Sequence, residues 1–385
     1  MPYNIPYGRQ YISPDDITAV INTLQADFLT QGPAVDAFEQ AFAQYIGCRY
    51  AVAVANGTAA LHLAALALNF GAGKRVITTP ITFAASANCV LYGGGSISFA
   101  DIDRQTYLID LNYVEDLLRQ SHYDGIIPVD FGGYPVDTEA LQYLSNRYGC
   151  AILEDACHAP GAWFTDSKGT KQHCGNGVYA DAAIFSFHPV KHIACGEGGM
   201  ITTNSQAIYE KLLMLRTHGI TKNPAMMQQN NEGGWYYEMQ VLGFNYRMPD
   251  ILCALGSSQL QRAEAGLQRR QAIADRYRAE LSQLPLSIQA APNPQQQHAY
   301  HLFIVETENR KAFYDHLRQH QIFAQVHYIP VHTLPYYQSL GFKRGQFPQA
   351  EDYYAHCLSL PMYPSLSHDE QSYVIDVIKQ YFATA

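Results

Sequence analysis

The chain predicts an α/β fold in which a mostly parallel sheet carries the functional site, followed by a smaller C-terminal α+β unit. Three observations predict it. Short Val- and Ile-rich runs alternate with helix-like segments from residue 51 onward, polar residues collect directly after those runs, and the pattern changes after Met248 and Pro249. With 385 residues, 48% of them hydrophobic and only 15% charged, the chain has apolar material for two domains and lacks the charge-rich profile of disorder.

The first run, residues 51–55, is followed by an apolar helix over 59–69, a strand at 76–79 and a helix over 84–92, which is βαβα order. Strands are expected again at 97–99, 126–129, 151–154, 182–187 and 200–203, each apolar enough to be covered on both faces. A long Ala-, Leu-, Gln- and Arg-rich helix then runs to about Leu281, and a polar linker follows at 291–298. The second unit holds a strand at 301–305, a helix at 311–319, a strand at 324–328 and closing helices near Ala350 and Glu370. The expected division is 1–248 for the large unit and 249–385 for the small one.

The formal charge of -9 and the absence of any Lys/Arg run argue against binding to nucleic acid or to an anionic membrane surface. Residues 1–10 carry two prolines and no apolar core, so they read as neither a secretory signal nor an anchor. The most apolar stretch, 51–70, is broken by Asn56, Gly57, Thr58 and His62, which does not suit a membrane span. A cytoplasmic protein is expected. Its eight cysteines are scattered with no C-x-x-C pair, so reduced thiols are expected rather than a disulfide framework or zinc ribbon. Cys150, Cys157 and His158 are near in sequence, but strand alternation sends Cys157 and His158 to opposite faces, and no metal is expected.

In parallel sheets, ligand sites form where strands end. Lys191 follows the run Phe185-Ser186-Phe187-His188-Pro189-Val190 and precedes Gly196-Glu197-Gly198-Gly199. A lysine there can hold an aldehyde if its amine is neutral, which partial burial near His188 and His192 favours; the plain alternative is a solvated loop lysine. Asp155 ends Ala151-Ile152-Leu153-Glu154 and can face a protonated pyridine nitrogen, or else cap a helix or pair with an arginine. Asn56-Gly57-Thr58-Ala59-Ala60 offers a glycine turn opening an apolar helix, a cup for an anion, although Thr58 can equally be a plain N-cap. Ser186 can add a hydroxyl to that cup. Phe83, after Thr79-Pro80-Ile81-Thr82, can stack on a planar ring or simply pack.

Taken together, Asn56-Gly57-Thr58-Ala59-Ala60-Leu61, Glu154-Asp155-Ala156-Cys157-His158, the segment Ser186 to Lys191 and Gly196-Glu197-Gly198-Gly199 resemble successive motifs of the nucleotide-sugar aminotransferases of the DegT/StrS type. These are fold-type I, aspartate-aminotransferase-like enzymes that use pyridoxal 5'-phosphate. The resemblance runs from Leu29-Thr30-Gln31-Gly32 to Ser359-Leu360-Pro361. It implies that Lys191 holds the cofactor; once freed, Lys191 is the natural proton shuttle, and His188 is either its helper or equally a satisfied hydrogen-bonding histidine. It also implies that Asp155 faces the ring nitrogen, that His158 sits by the phenolic oxygen, and that Thr58, Ala59 and Ser186 hold the phosphate. Phe83 would stack on the ring, and Asn245 in Gly243-Phe244-Asn245-Tyr246-Arg247 would reach the phosphate of a partner subunit, which implies a homodimer.

Within that family, the segments around Phe83 and Lys191 and Ala324-Gln325-Val326-His327-Tyr328-Ile329-Pro330 look most like the pseudaminic-acid branch. The implied acceptor is a UDP-linked 4-keto-6-deoxy-N-acetyl-L-sugar aminated at C4 with L-glutamate as donor, and His327 and Tyr328 are implied substrate contacts. Other readings are amination of a different nucleotide ketosugar at C3 or C4, dehydration of the sugar, or a non-catalytic sensor on the same fold. The best-known dehydrating relatives carry histidine where this chain has Lys191, which argues against the dehydration reading.

Overall fold

The computed structural model describes residues 3–229 and 233–384. Seven of the apolar runs pair into one sheet: β1 (Tyr50–Val54), β2 (Arg75–Thr78), β3 (Ser96–Phe99), β4 (Gly125–Ile127), β5 (Ala151–Asp155), β6 (Ala182–Ser186) and β7 (Gly199–Thr203). Their spatial order is β1-β7-β6-β5-β4-β2-β3. Only β7 opposes its neighbours; the remaining pairs are parallel. Val52, Ile77, Ile126, Leu153, Ile184 and Ile201 are fully buried, because crossover helices cover both faces and β-branched side chains pack well on a pleated surface.

Two helices precede the sheet, α1 (Pro14–Leu24) and α2 (Pro33–Ile46). Between β1 and β2 lies α3 (Gly57–Ala67), apolar on nearly every side and buried accordingly. Between β2 and β3 lies α4 (Ala85–Tyr92). The helices α1, α2, Leu111–Gln120, Thr138–Tyr148 and Gln206–Arg216 go beyond the elements expected from the sequence.

Two expectations for the C-terminal part need correction. The long helix is two helices, Asp250–Leu260 and Ala263–Leu281, broken at Gln261 and Arg262. Gln259 donates to Tyr11 O and to the buried Asp16 carboxylate, with which Arg262 also pairs, so polar contacts to the N-terminal segment turn the chain there. The strand expected at 324–328 is absent. Ile322–Phe323 instead pairs in parallel with Ile5–Pro6, and beyond it only a single bridge joins Gln325 to Ser359. The chain is drawn aside because Tyr353 OH donates to His327 O at 2.6 Å and His327 Nδ1 meets Ser359 Oγ at 2.9 Å.

Ser287–Ile288, Phe303–Glu306 and Cys357–Leu360 form a small antiparallel sheet. A separate core of Ile273, Tyr277, Phe303, Leu317, Leu358 and Ile378 lies on it, and Ile5 from the start of the chain belongs to it. The helix Asp250–Leu260 lies against α1 and α2. No helix among the described residues is long and apolar enough to cross a membrane.

Candidate active site

The sheet brings three chain segments to one edge. Gly199 at the start of β7 lies opposite Val54 on one side and Ser186 on the other. A Cβ on Gly199 would stand 2.5 Å from Asn56 O, and one on Gly57 would stand 2.9 Å from Ser186 Cβ. Glycine at both positions lets the first turn of α3 close on Ser186. Asn56 caps this helix, its Oδ1 accepting the Ala59 N–H at 2.8 Å. Gly57 and Thr58, whose N–H groups have no acceptor inside the helix, line a cavity together with Ser186. The alternative of Thr58 as N-cap is thus corrected to Asn56. Ala59 is not on the cavity wall and its N–H is committed to the cap, which corrects its expected place among the phosphate donors.

The cavity holds ≈ 430 Å³, enough for a cofactor with part of a substrate. Asp155 enters it from the end of β5. Its Oδ2 accepts from Ser86 Oγ at 2.6 Å and its Oδ1 from the Cys157 N–H at 3.2 Å, an arrangement that suits an ionised acceptor. Glu154 points to the opposite face, as strand alternation requires, and accepts the Gly175 N–H at 2.9 Å. Burial pushes its carboxyl up, and Asp130 beside it is raised as well. Cys150 does not join Cys157 and His158 in any metal-ligand grouping among the described residues.

Lys191 lines the same cavity as Asp155. Burial lowers the pKa of its amine, Cys157 and Asp155 oppose that shift, and Arg270 adds to it. The direction and its main cause, burial, are as expected from the sequence; the expected help from His188 and His192 is corrected, since Arg270 and not a histidine adds to the shift. His188 is exposed at the cavity rim. His192 is tethered through Nε2 to Ala299 O at 2.9 Å.

His158 Nδ1 accepts the Gly132 N–H at 3.2 Å, and Nε2 lies 3.3 Å from Tyr328 Oη. Burial holds the ring well below its ordinary pKa, so it is neutral and carries its proton on Nε2. Tyr328 and His327 both line the cavity, His327 with its pKa lowered to about 3 by burial and by Lys191. Phe83, 62% exposed, forms another wall with its ring centroid 6.2 Å from that of Tyr328.

Of the residues singled out from sequence, Lys191, Asp155, His158, His188, Thr58, Ser186, Phe83, His327 and Tyr328 meet in this cavity. Asn245 does not; it is exposed on another surface of its own chain. Near it in sequence are the exposed Trp235, Met239 and Leu242, and α1 and the segment after it expose Ile17, Ile21, Leu24, Phe28 and Leu29.

Sequence reasoning missed Tyr7, Ser86 and His301, which also line the cavity. Ser86 opens α4 three residues beyond Phe83, a position where a polar residue after a strand was a usable signal. Tyr7 carried none, because its place depends on the pairing of Ile5–Pro6 with Ile322–Phe323, over three hundred residues away.

Residues 10–379 match the DegT/DnrJ/EryC1/StrS aminotransferase family. The chain is 37% identical over 383 residues to the spore coat polysaccharide biosynthesis protein SpsC of Bacillus subtilis, covering 97% of this chain and 96% of SpsC. Its fold superposes on Helicobacter pylori PseC, an aminotransferase involved in the biosynthesis of pseudoaminic acid, with a TM-score of 0.90 and 29% identity over 100% of both chains. The PMP form of Spr1654 from Streptococcus pneumoniae matches with a TM-score of 0.90 and 28% identity, covering 99% of this chain and 100% of that one.

Proposed function

We propose that this chain, which belongs to the DegT/DnrJ/EryC1/StrS aminotransferase family, transfers the amino group of L-glutamate to C4 of a UDP-linked 4-keto-6-deoxy-N-acetyl-L-sugar. It is a sugar aminotransferase, and its cofactor is pyridoxal 5'-phosphate. The observation that carries the reading is one cavity that joins a lysine amine depressed by burial, a carboxylate held by two donors and a helix-start cup closed by two glycines. That donor set fits the cofactor's aldehyde, ring nitrogen and phosphate respectively.

When bound, pyridoxal phosphate supplies a carbonyl that takes up the amine and a ring that draws electrons from the adjacent carbon. Lys191 is the group that holds the cofactor and, once released, takes the α-proton of glutamate on Nζ and returns a proton when the ketosugar is aminated. Asp155 keeps the ring nitrogen protonated, and Ser86 and the Cys157 N–H keep Asp155 aimed. His158 donates from Nε2 toward the phenolic oxygen or Tyr328 Oη. Thr58 and Ser186 hold the phosphate, and Phe83 covers one face of the ring. His188 assists proton movement at the open rim, while His327 and Tyr328 contact the sugar nucleotide.

A homodimer completes this reading. The exposed apolar surface on α1 and around Leu242 is the face a second copy would cover, and it would bring Asn245 to the partner's phosphate. Mixing Lys191→Ala and Asn245→Ala proteins, each impaired alone, then restores roughly a quarter of native activity, because random pairing gives half mixed dimers with one intact site each. No recovery on mixing removes the shared-site proposal.

The acceptor assignment is supported by likeness to PseC and by the motifs around Phe83, Lys191 and His327; SpsC, named for spore coat polysaccharide biosynthesis, keeps other ketosugars in contention. Incubation with cofactor, glutamate and a panel of UDP- and dTDP-linked 4-ketosugars, with products identified by NMR, tests donor, acceptor and configuration together. Amination of a dTDP sugar with the UDP sugars untouched overturns the named acceptor.

A further inference from the structure

A second cavity, of ≈ 360 Å³, shares only Lys191 with the one described above. Its size is that of a small-ligand site. The wall carries three arginines, Arg9, Arg262 and Arg269, and no acidic side chain. In a chain with a formal charge of -9, three guanidiniums on one cavity run against the overall balance. Helical spacing accounts for two of them: Arg262, Gly266 and Arg269 follow one another at intervals of four and three where the helix Ala263–Leu281 begins, so they form one stripe. Arg9 joins from the N-terminal segment, which Gln259 fastens to the helices by donating to Tyr11 O at 2.9 Å.

The three differ in how far they are neutralised. Asp16 pairs with Nη2 of Arg262, whose Cζ lies 5.1 Å from the Tyr11 ring centroid and whose buried Nε has no acceptor. Arg269 donates from Nη2 to Leu366 O at 2.6 Å, a contact that orients the guanidinium and leaves its charge in place. Neither Arg269 nor Arg9 pairs with a carboxylate among the described residues. Glu264, on the same stretch of helix, accepts from Gln268 at 3.1 Å and is not on the wall. With Asp16 set against Arg262, two positive charges face the cavity. Gly266 stands between the two helical arginines. Glycine weakens a helix relative to alanine, and packing does not demand it here, since an added Cβ would meet only Pro364 Cγ, at an ordinary 3.6 Å. Its effect is to leave open floor between two guanidiniums.

We propose that this second cavity binds a small dianion, either a dicarboxylate or a phosphate group, between Arg9 and Arg269 with Arg262 as the fixed third contact. Two net positive charges match two negative ones, and guanidinium forks pair with carboxylate and phosphate oxygens alike. The inference goes beyond the transaminase reading and does not depend on it, because Arg9, Arg262, Gly266 and Arg269 all lie outside the first cavity.

The test is calorimetric titration of the holoenzyme at low ionic strength with glutarate, which has no amine to transfer, with inorganic phosphate and with uncharged glutaramide. At least one of the two dianions should saturate, and glutaramide should not bind. Arg269→Gln should weaken the dianion by about tenfold or more, the worth of a charge-assisted hydrogen bond, and Arg9→Gln should act in the same direction. Gly266→Leu, which fills the floor and leaves every charge in place, should remove binding. Tyr328→Phe, on the first cavity alone, should leave it unchanged. Tighter glutarate assigns the site to dicarboxylates and tighter phosphate to phosphate groups; either result upholds the dianion. Absence of saturable binding by both overturns the proposal, as does native affinity in Arg269→Gln, or a loss in Tyr328→Phe as large as that in Arg269→Gln. If Gly266→Leu does not fold, the Arg9 and Arg269 variants decide the matter, and equal binding of glutaramide and glutarate to the native protein overturns it without any variant.

Discussion

The two ends of the cavity are built in different ways. At the proposed cofactor end, Thr58, Asp155, Ser186 and Lys191 sit at or just past the ends of neighbouring strands, so sheet register brings them together. At the proposed substrate end, Tyr7, His301, His327 and Tyr328 come from segments that meet only through long-range packing. The first end is set by local sheet geometry and the second by distant packing, and the two meet where Tyr328 Oη lies 3.3 Å from His158 Nε2.

Substitutions at the cofactor end should lower turnover for every acceptor. Lys191→Ala should lower kcat by roughly 10²–10⁴-fold and remove the visible band left after adding pyridoxal phosphate and dialysing. Retention of both the band and native turnover rules out its role. Asp155→Asn should lower kcat by roughly 10²-fold with cofactor still bound, and Ser86→Ala should give a smaller loss in the same direction. Equal effects on glutamate and ketosugar half-reactions are expected for both variants; an effect on the ketosugar half alone breaks the comparison.

Gly57→Ala should weaken cofactor retention by about tenfold or more, because the added methyl meets Ser186 and displaces charge-assisted hydrogen bonds worth about 1.5–3 kcal/mol. Equilibrium dialysis reads this directly. At the substrate end, Tyr328→Phe should raise the ketosugar KM by about three- to tenfold, the worth of one hydrogen bond, and leave the glutamate half-reaction alone. Unchanged ketosugar saturation removes Tyr328 from the proposed substrate contacts.

A separate effect concerns stability. His158, His192, His298, His301 and His327 are all held neutral by burial, His327 with a folded pKa of about 3. In the unfolded chain they take up protons as pH falls through about 6.5, while the folded protein resists. Stability is therefore full above that pH and falls on acidification toward 3, with a slope of up to about 1.4 kcal/mol per pH unit for each histidine. His327→Gln should flatten the fall in melting temperature between pH 6.5 and 4. A steeper fall in the variant contradicts the burial argument.

These two ends also differ in how far the sequence disclosed them. The seven strands, the lysine and the strand-end acid were legible because each depends on residues within a few positions. Sequence leaves Thr58 open as the cap on α3 because Asn56 and Thr58 are both good capping residues and only the backbone shows which one turns. Ala59 lies off the cavity wall because the Asn56 cap takes its N–H. The break at Gln261 has no glycine or proline to announce it; it follows from contacts to Tyr11 and Asp16, which no local pattern contains. Tyr7 and the irregular path of 324–328 were hidden likewise, since both are decided by partners hundreds of residues away or on another strand.

The neighbouring acids at the end of β5 have one further consequence. Deleting a single residue between Cys150 and Leu153 turns the strand's tip over: Glu154 is presented to the coenzyme, and Asp155 goes beneath the sheet to Asp130. The composition is nearly the same, yet the longer acid then starts where Leu153 stood, two residues back along the strand, away from the serine placed for Asp155. Residue count along that strand is thus under the same constraint as the identity of its last side chain.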